Sequence, residues 1–270
     1  MKTMISPGLL AGVVLLALTG PTRANANEAA AGSVYVPLAY QAGGTLGAPL
    51  PRLDLSAMRL WDYSKPWMAS QWSNALSPIP WRYDHVVARN DGSVSFFLDA
   101  LGAPELQAVN GTPARTSGLW EVEVTLPRLR DGLIVAPLWL FNSQSRDEID
   151  FEFAGRKGLD VTMHVYPGGV HQKFTARLFA GQDYSGRRVR FGIALDEKAG
   201  KATMLVNGVR VYTFDRAKTR YFVSTAMRPI IEQWAANPTK PDLVNWVGRW
   251  QGLGPGERIE MRVHGYRLTF

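Results

Sequence analysis

The chain is expected to be all-β, folded as an antiparallel β-sandwich. Runs with an apolar residue at every second place recur at residues 94–98, 122–126 and 209–214, which is the period of strands with one buried face. Between such runs stand Asn90-Asp91-Gly92, Asp131-Gly132, Pro167-Gly168-Gly169, Lys198-Ala199-Gly200 and Asn207-Gly208, residue types that supply the backbone angles of tight turns. No helical repeat of comparable length occurs, apart from a short turn expected near residues 215–219. Short strands punctuated in this way are the pattern of a sandwich or barrel.

Taken in order, the chain begins with Lys2, an apolar run over residues 9–18, and Ala24-Asn25-Ala26. A charged start, a short apolar stretch and a small-x-small site are the parts of a secretory signal. Ten apolar residues are too few to span a bilayer. Residues 1–26 are therefore expected to be removed, which leaves 244 of 270 residues and lowers the formal charge from +7 to +5 by loss of Lys2 and Arg23. Residues 27–50, rich in Ala, Gly and Pro, read as a flexible leader. Residues 51–270 read as one domain, a size that supports a large core without disulfides. The chain contains no cysteine, which excludes disulfides, thiolate metal sites and a lipid-modified cysteine. Export to a periplasm or medium is the expected destination, with no membrane attachment after cleavage and a monomer as the default state.

Residues 51–82 place Trp61, Trp67, Trp72 and Trp81 among Pro and Ser, a long segment expected to pack over the sandwich, with one ring left as a sugar platform. Residues 132–141 are almost continuously apolar and read as an interior strand. The loop Asn142-Ser143-Gln144-Ser145-Arg146 follows, and then Asp147-Glu148-Ile149-Asp150-Phe151-Glu152-Phe153. The pleat sends Glu148, Asp150 and Glu152 to one face and the apolar residues to the other. Three like charges in a row repel and do not favour a sheet, so a chemical role is the better account of them.

Glycoside hydrolysis needs two carboxyl groups, roughly 5–5.5 Å apart for retention or about 6.5–9.5 Å for inversion. Strand spacing puts the Cα atoms of Glu148 and Glu152 roughly 13 Å apart, and side chains leaning inward over Asp150 could close that gap. Spacing alone leaves the stereochemistry open. Asp150 between them would couple the titrations and let one glutamate hold a proton while the other is ionised.

The acid strand resembles the active-site strand of glycoside hydrolase family 16, in its unbulged E-x-D-x-E form found in lichenases and xyloglucan endotransglycosylases. The resemblance extends to Thr116-Ser117-Gly118-Leu119-Trp120-Glu121-Val122 as a G-[LF]-[YFW]-E-V strand, to Val165-Tyr166-Pro167-Gly168-Gly169, to the hairpin around Asn207-Gly208-Val209, and to Arg228-Pro229-Ile230-Ile231-Glu232-Gln233-Trp234. It implies a concanavalin A-like jelly roll with a concave substrate cleft. It implies Glu148 as nucleophile, Asp150 as assisting carboxylate and Glu152 as general acid/base, hence retention. Trp234 would be a sugar-stacking platform, and Glu121, His164 and Tyr166 would line the cleft. The implied activity is endo-hydrolysis of a β-linked glucan or related exopolysaccharide. A transglycosylase with the same residues, a non-catalytic carbohydrate-binding sandwich and a polysaccharide lyase are the competing readings.

The chain departs from the family at three places. Arg146 stands two residues before the nucleophile where tryptophan or histidine is usual. A guanidinium there could bind a carboxylate or pyruvyl substituent, but a salt bridge to the adjacent Asp147 is the favoured expectation. His264 replaces an aspartate that often helps hold structural calcium, so a structural calcium is not favoured, and no cofactor is expected. Leu195 stands near the place of a common tryptophan. The four histidines, His85, His164, His171 and His264, are too scattered in sequence for a metal motif. Arg187-Arg188-Val189-Arg190 is the densest basic stretch and reads as a solvated face. No nucleic-acid module appears, and the expected partner is a polysaccharide.

Overall fold

A computed structural model of the chain describes residues 48–53, 55 and 65–270. The signal, nearly all of the leader and Trp61 lie outside the described residues. Fourteen strands are present among them: β1 (Trp67–Ala69), β2 (Val86–Ala88), β3 (Val94–Leu98), β4 (Glu105–Ala108), β5 (Ser117–Thr125), β6 (Leu133–Phe141) and β7 (Glu148–Ala154). They continue as β8 (Leu159–Val165), β9 (Gln172–Leu178), β10 (Arg188–Asp196), β11 (Lys201–Val206), β12 (Val209–Asp215), β13 (Arg228–Ala235) and β14 (Ile259–Thr269). Two short helices accompany them, α1 (Arg216–Thr219) and α2 (Pro241–Val247). The strands form two seven-stranded sheets in the orders β1-β4-β13-β6-β7-β8-β9 and β12-β11-β10-β5-β14-β3-β2. All the strand pairings are antiparallel.

Alternation decides which face each strand buries. Ile149, Phe151 and Phe153 of β7 point into the space between the sheets and meet Phe191 of β10, with ring centroids of Phe151 and Phe191 5.2 Å apart. Trp120, Val122 and Val124 of β5 and Met261 and Val263 of β14 supply the opposite wall. Full burial of one such side chain contributes roughly 1.5–3 kcal/mol. Gln233 of β13 is the polar exception, wholly buried, with its amide donating to Phe96 O at 2.8 Å and Ile259 O at 3.0 Å on the second sheet.

The apolar run at 132–141 is the interior strand expected of it: β6 lies between β13 and β7, and eight of its nine residues are buried. Its pairing with β7 slips between Val135 and Leu138, where Pro137 has no N–H to give to a ladder. The slip changes which residues face outward. Leu138 and Leu140 join the core, whereas Ala136, Trp139 and Phe141 gather on the outer face with Ile230.

The Asn207-Gly208 hairpin forms as expected, with φ of 52° and 76° joining β11 to β12, the left-handed pair of a type I′ turn. The turn expected near 215–219 is α1, capped by the Asp215 side chain on Ala217 N.

Candidate active site

β7 is an interior strand, so its outward row is flanked on both sides. β8 sets His164 opposite Glu148, Thr162 opposite Asp150 and Asp160 opposite Glu152. On the other side, β6 sets Phe141 opposite Glu148 and Trp139 opposite Asp150. The acids thus stand in a lane between an apolar wall and a polar one.

Their environment favours protons. Burial, then Asp150 and Glu152, push the Glu148 carboxyl well above the usual carboxylate range. Burial, then Asp150, do the same to Glu152, with Asp160 adding to it and Lys173 opposing it. Asp150 is 1 % exposed, and neither of its oxygens receives a hydrogen bond from any group with a fixed hydrogen. A proton on a neighbouring glutamate satisfies it, and Glu148 is within hydrogen-bonding reach. An unsatisfied buried carboxylate costs roughly 1 kcal/mol or more, so a proton on Glu148, whose hold on it is strengthened by burial and by Asp150, stabilises the row.

His164 is held by a stack. Its Nε2 lies 3.5 Å from Asp150 Oδ2 and 3.8 Å from Glu148 Oε1. Its Nδ1 is 2.8 Å from His171 Nε2, and the two rings are nearly parallel. Burial, then His164, bring the His171 pKa down to about 4, so His171 is neutral near pH 7. Which ring donates across this contact depends on the tautomer; with His171 Nε2–H as donor to His164 Nδ1, His164 Nε2–H faces the acids. Tyr166 stacks on His171 at 4.8 Å, and the Arg146 guanidinium lies over Tyr166 at 4.0 Å.

Several sequence expectations need correction. Glu121 does not line this face: β5 belongs to the second sheet, and Arg267 Nε donates to Glu121 Oε2 at 3.0 Å there. Alternation turns Glu121 away from the core, and that side is the far surface of the molecule. Trp234 is not an open platform. It is 6 % exposed and packs under Trp81, whose indole N–H donates to Glu232 Oε2 at 3.0 Å. Arg146 makes no salt bridge to Asp147. The Asp147 Oδ2 instead accepts from Ser224 N at 2.9 Å, Thr225 N at 3.0 Å and Thr225 Oγ1 at 2.8 Å, and from its left-handed turn Arg146 lies over Tyr166. His264 bonds Thr125 Oγ1 through Nε2 at 2.8 Å.

Sequence reasoning also missed partners. Glu105 and Glu232 face each other across β4 and β13, and burial, then Glu105, push Glu232 well above its ordinary range, with Glu152 contributing. Ser70 and Gln107 donate to Glu105. The alternation that marked β7 is present in Glu105-Leu106-Gln107 too, but pairing with Glu232 is non-local. Asp160 is bound by Arg177 through two hydrogen bonds of 2.7 Å and by the Trp246 indole at 2.7 Å, which ties α2 to the lane. Glu148, Asp150 and His164 bring donor atoms within 4.8 Å of one another and could together contact a cation.

The model of the family described as Glycosyl hydrolases family 16 matches residues 73–251. No curated protein matches the chain by sequence. Among solved structures, the Bacillus licheniformis β-glucanase superposes with a TM-score of 0.60 at 18% identity, over 76% of this chain and 92% of that one. The Bacteroides ovatus mixed linkage glucan GH16 protein, in complex with a G4G4G3G product, gives 0.58 at 17% identity, over 79% and 98%. The Crh5 transglycosylase in complex with NAG gives 0.53 at 16% identity, over 76% and 84%. These likenesses establish a common two-sheet jelly roll, and a family model spanning about two-thirds of the sequence, acid strand included, places the chain in glycosyl hydrolase family 16.

Proposed function

We propose that the protein is a secreted, retaining endo-glycosidase of a β-glucan or related exopolysaccharide, with the β7 acids as its machinery. The observation that carries this is the acid row itself: two glutamates at the ends, both pushed upward, and a buried aspartate between them without another hydrogen-bond donor among the described residues. In the reactive form Glu152 holds the proton and Glu148 is ionised. Glu148 attacks the anomeric carbon as Glu152 protonates the departing glycosidic oxygen, and a glycosyl ester forms on Glu148. Glu152, now a carboxylate, takes a proton from water as that water attacks the ester and frees the sugar with its configuration retained. Asp150 moves the shared proton between the two glutamates, and His164 steadies Asp150. This chemistry needs no metal, so chelation should leave the rate unchanged. Export is supported by the apolar run and small-x-small site at the N-terminus.

The test is reducing-end release from a panel of mixed-linkage glucan, laminarin, xyloglucan and acidic exopolysaccharides. Glu148→Gln and Glu152→Gln should each lower the rate by roughly a thousandfold or more, and a wild-type rate in either removes the role assigned to it. The likeness to a transglycosylase supports a second outcome, growth of product chains when acceptor oligosaccharides are added.

A further inference from the structure

We propose that the pocket around Arg146 is a subsite for a carboxylate-bearing sugar unit, so that the polymer cut by the β7 acids is an acidic polysaccharide. The proposal rests on the catalytic reading of β7 and specifies its substrate class.

The pocket has a volume of about 400 Å³ and is lined by Arg146, Asp147, Tyr166, Tyr221, Phe222 and Ser224, among others. It adjoins the nucleophile end of the acid row: Tyr166 lies two residues beyond His164, which stands opposite Glu148. An oligosaccharide in the lane therefore places a neighbouring unit here.

Arg146 is arranged to take an anion. It forms no ion pair among the described residues, whereas Arg130, Arg177, Arg190 and Arg267 all do. Its guanidinium carbon lies 4.0 Å from the centroid of the Tyr166 ring, and among the described residues its side-chain N–H groups donate to no other residue, which leaves them available to a ligand. Paired donors at a planar edge match a carboxylate in a way that an ammonium does not. The residue also sits at φ 65°, a left-handed conformation uncommon for residues other than glycine. A rigid turn holds it there: Arg146 N donates to Asn142 O at 2.8 Å, and Gln144 N and Ser145 N donate to Asn142 Oδ1 at 2.9 Å.

The surroundings do not cancel that charge. Among the described residues lining the pocket Asp147 alone is acidic, and its Oδ2 is occupied by three donors from Ser224 and Thr225. Lys173, opposite His164 on β9, is a second cation on the same face that forms no ion pair among the described residues, with its Nζ 5.7 Å from the Trp246 ring centroid. Tyr166, Tyr221 and Phe222 alone would suffice to pack a neutral sugar ring; the unpaired guanidinium among them is explained by an acidic one.

The experiment compares a neutral glucan that the protein cuts with the same glucan partly oxidised at C6 to glucuronate, which keeps every linkage. Wild type should favour the oxidised polymer by roughly tenfold in kcat/KM at low salt, the effect of one charge-assisted pair. The ratio should fall with added sodium chloride, collapse toward one in Arg146→Gln, and be intermediate in Arg146→Lys. A wild-type ratio of one or less, or an undiminished ratio in a folded Arg146→Gln, overturns the proposal. A sulfated glucan preferred over the carboxylated one overturns the carboxylate assignment. Failure of the catalytic reading shows separately, as no turnover of any polymer. In that case calorimetry with glucuronate-containing and neutral oligosaccharides reads the same ratio, and no preference for the acidic oligomers overturns the subsite.

Discussion

At the scale of single residues, the acid row makes stability and chemistry oppose each other. The folded-state pKa values of Glu148 and Glu152 are raised by burial and by neighbouring acids, so the folded protein binds more protons than the unfolded chain above the ordinary carboxylate pKa. Stability contributed by these groups is fully present below about pH 4.5 and is lost as pH rises toward the folded pKa values. Glu148→Gln cannot ionise and should escape that loss. Its melting temperature near pH 7 should exceed that of wild type, by the equivalent of about 1–2 kcal/mol, and the two should converge near pH 4. Melts of both proteins across pH read this directly, and a variant less stable at pH 7 removes the argument. The row itself was legible because strand alternation is local. The fate of its neighbours was not: whether Arg146 reaches Asp147 depends on a left-handed turn and on donors from residues 224 and 225, which no local pattern reports.

At the scale of elements, the same substitution at two glycines separates strain from collision. Gly208 has φ 76° with nothing near the position of an added Cβ, whereas Gly155 has φ 59° and its Cβ would fall 2.3 Å from Val247 O. Gly208→Ala should cost about 1 kcal/mol for the conformation alone. Gly155→Ala must also displace the end of α2 and should cost at least about 2 kcal/mol more, measured by urea unfolding. Because Trp246 of α2 donates to Asp160, which faces Glu152, Gly155→Ala should also lower turnover; full activity would show that α2 does not steady the lane. Here too legibility follows locality. The Asn-Gly hairpin and the apolar β6 run were readable as turn chemistry and composition. α2 was not, since Pro241–Val247 is too short for a helical period to emerge and is held in place by its contacts.

At the scale of the whole molecule, the two sheets are joined by more than apolar contact. Gln233 of the first sheet donates to the backbones of β3 and β14 in the second. Gln233→Met keeps the volume and leaves Phe96 O and Ile259 O without that donor, so it should destabilise by roughly 1–3 kcal/mol; an unchanged denaturant midpoint would show that the bridge contributes nothing. The class of fold was readable from strands and turns, but the order of strands was not, because β4 meets β13 and β5 meets β14 across long stretches of chain. That order is what brings Glu105 to Glu232 and lays the segment of Trp72 and Trp81 over Trp234. The indoles of Trp72 and Trp81 lie 4.3 Å apart and within 6° of parallel, while their N–H groups hold Glu105 and Glu232. Two chromophores so aligned couple their electronic transitions, and the resulting circular dichroism couplet is an intrinsic optical gauge. Its decay ahead of the bulk strand signal on warming would report that the tryptophan clasp lifts from the second acid pair while the sandwich beneath stays folded.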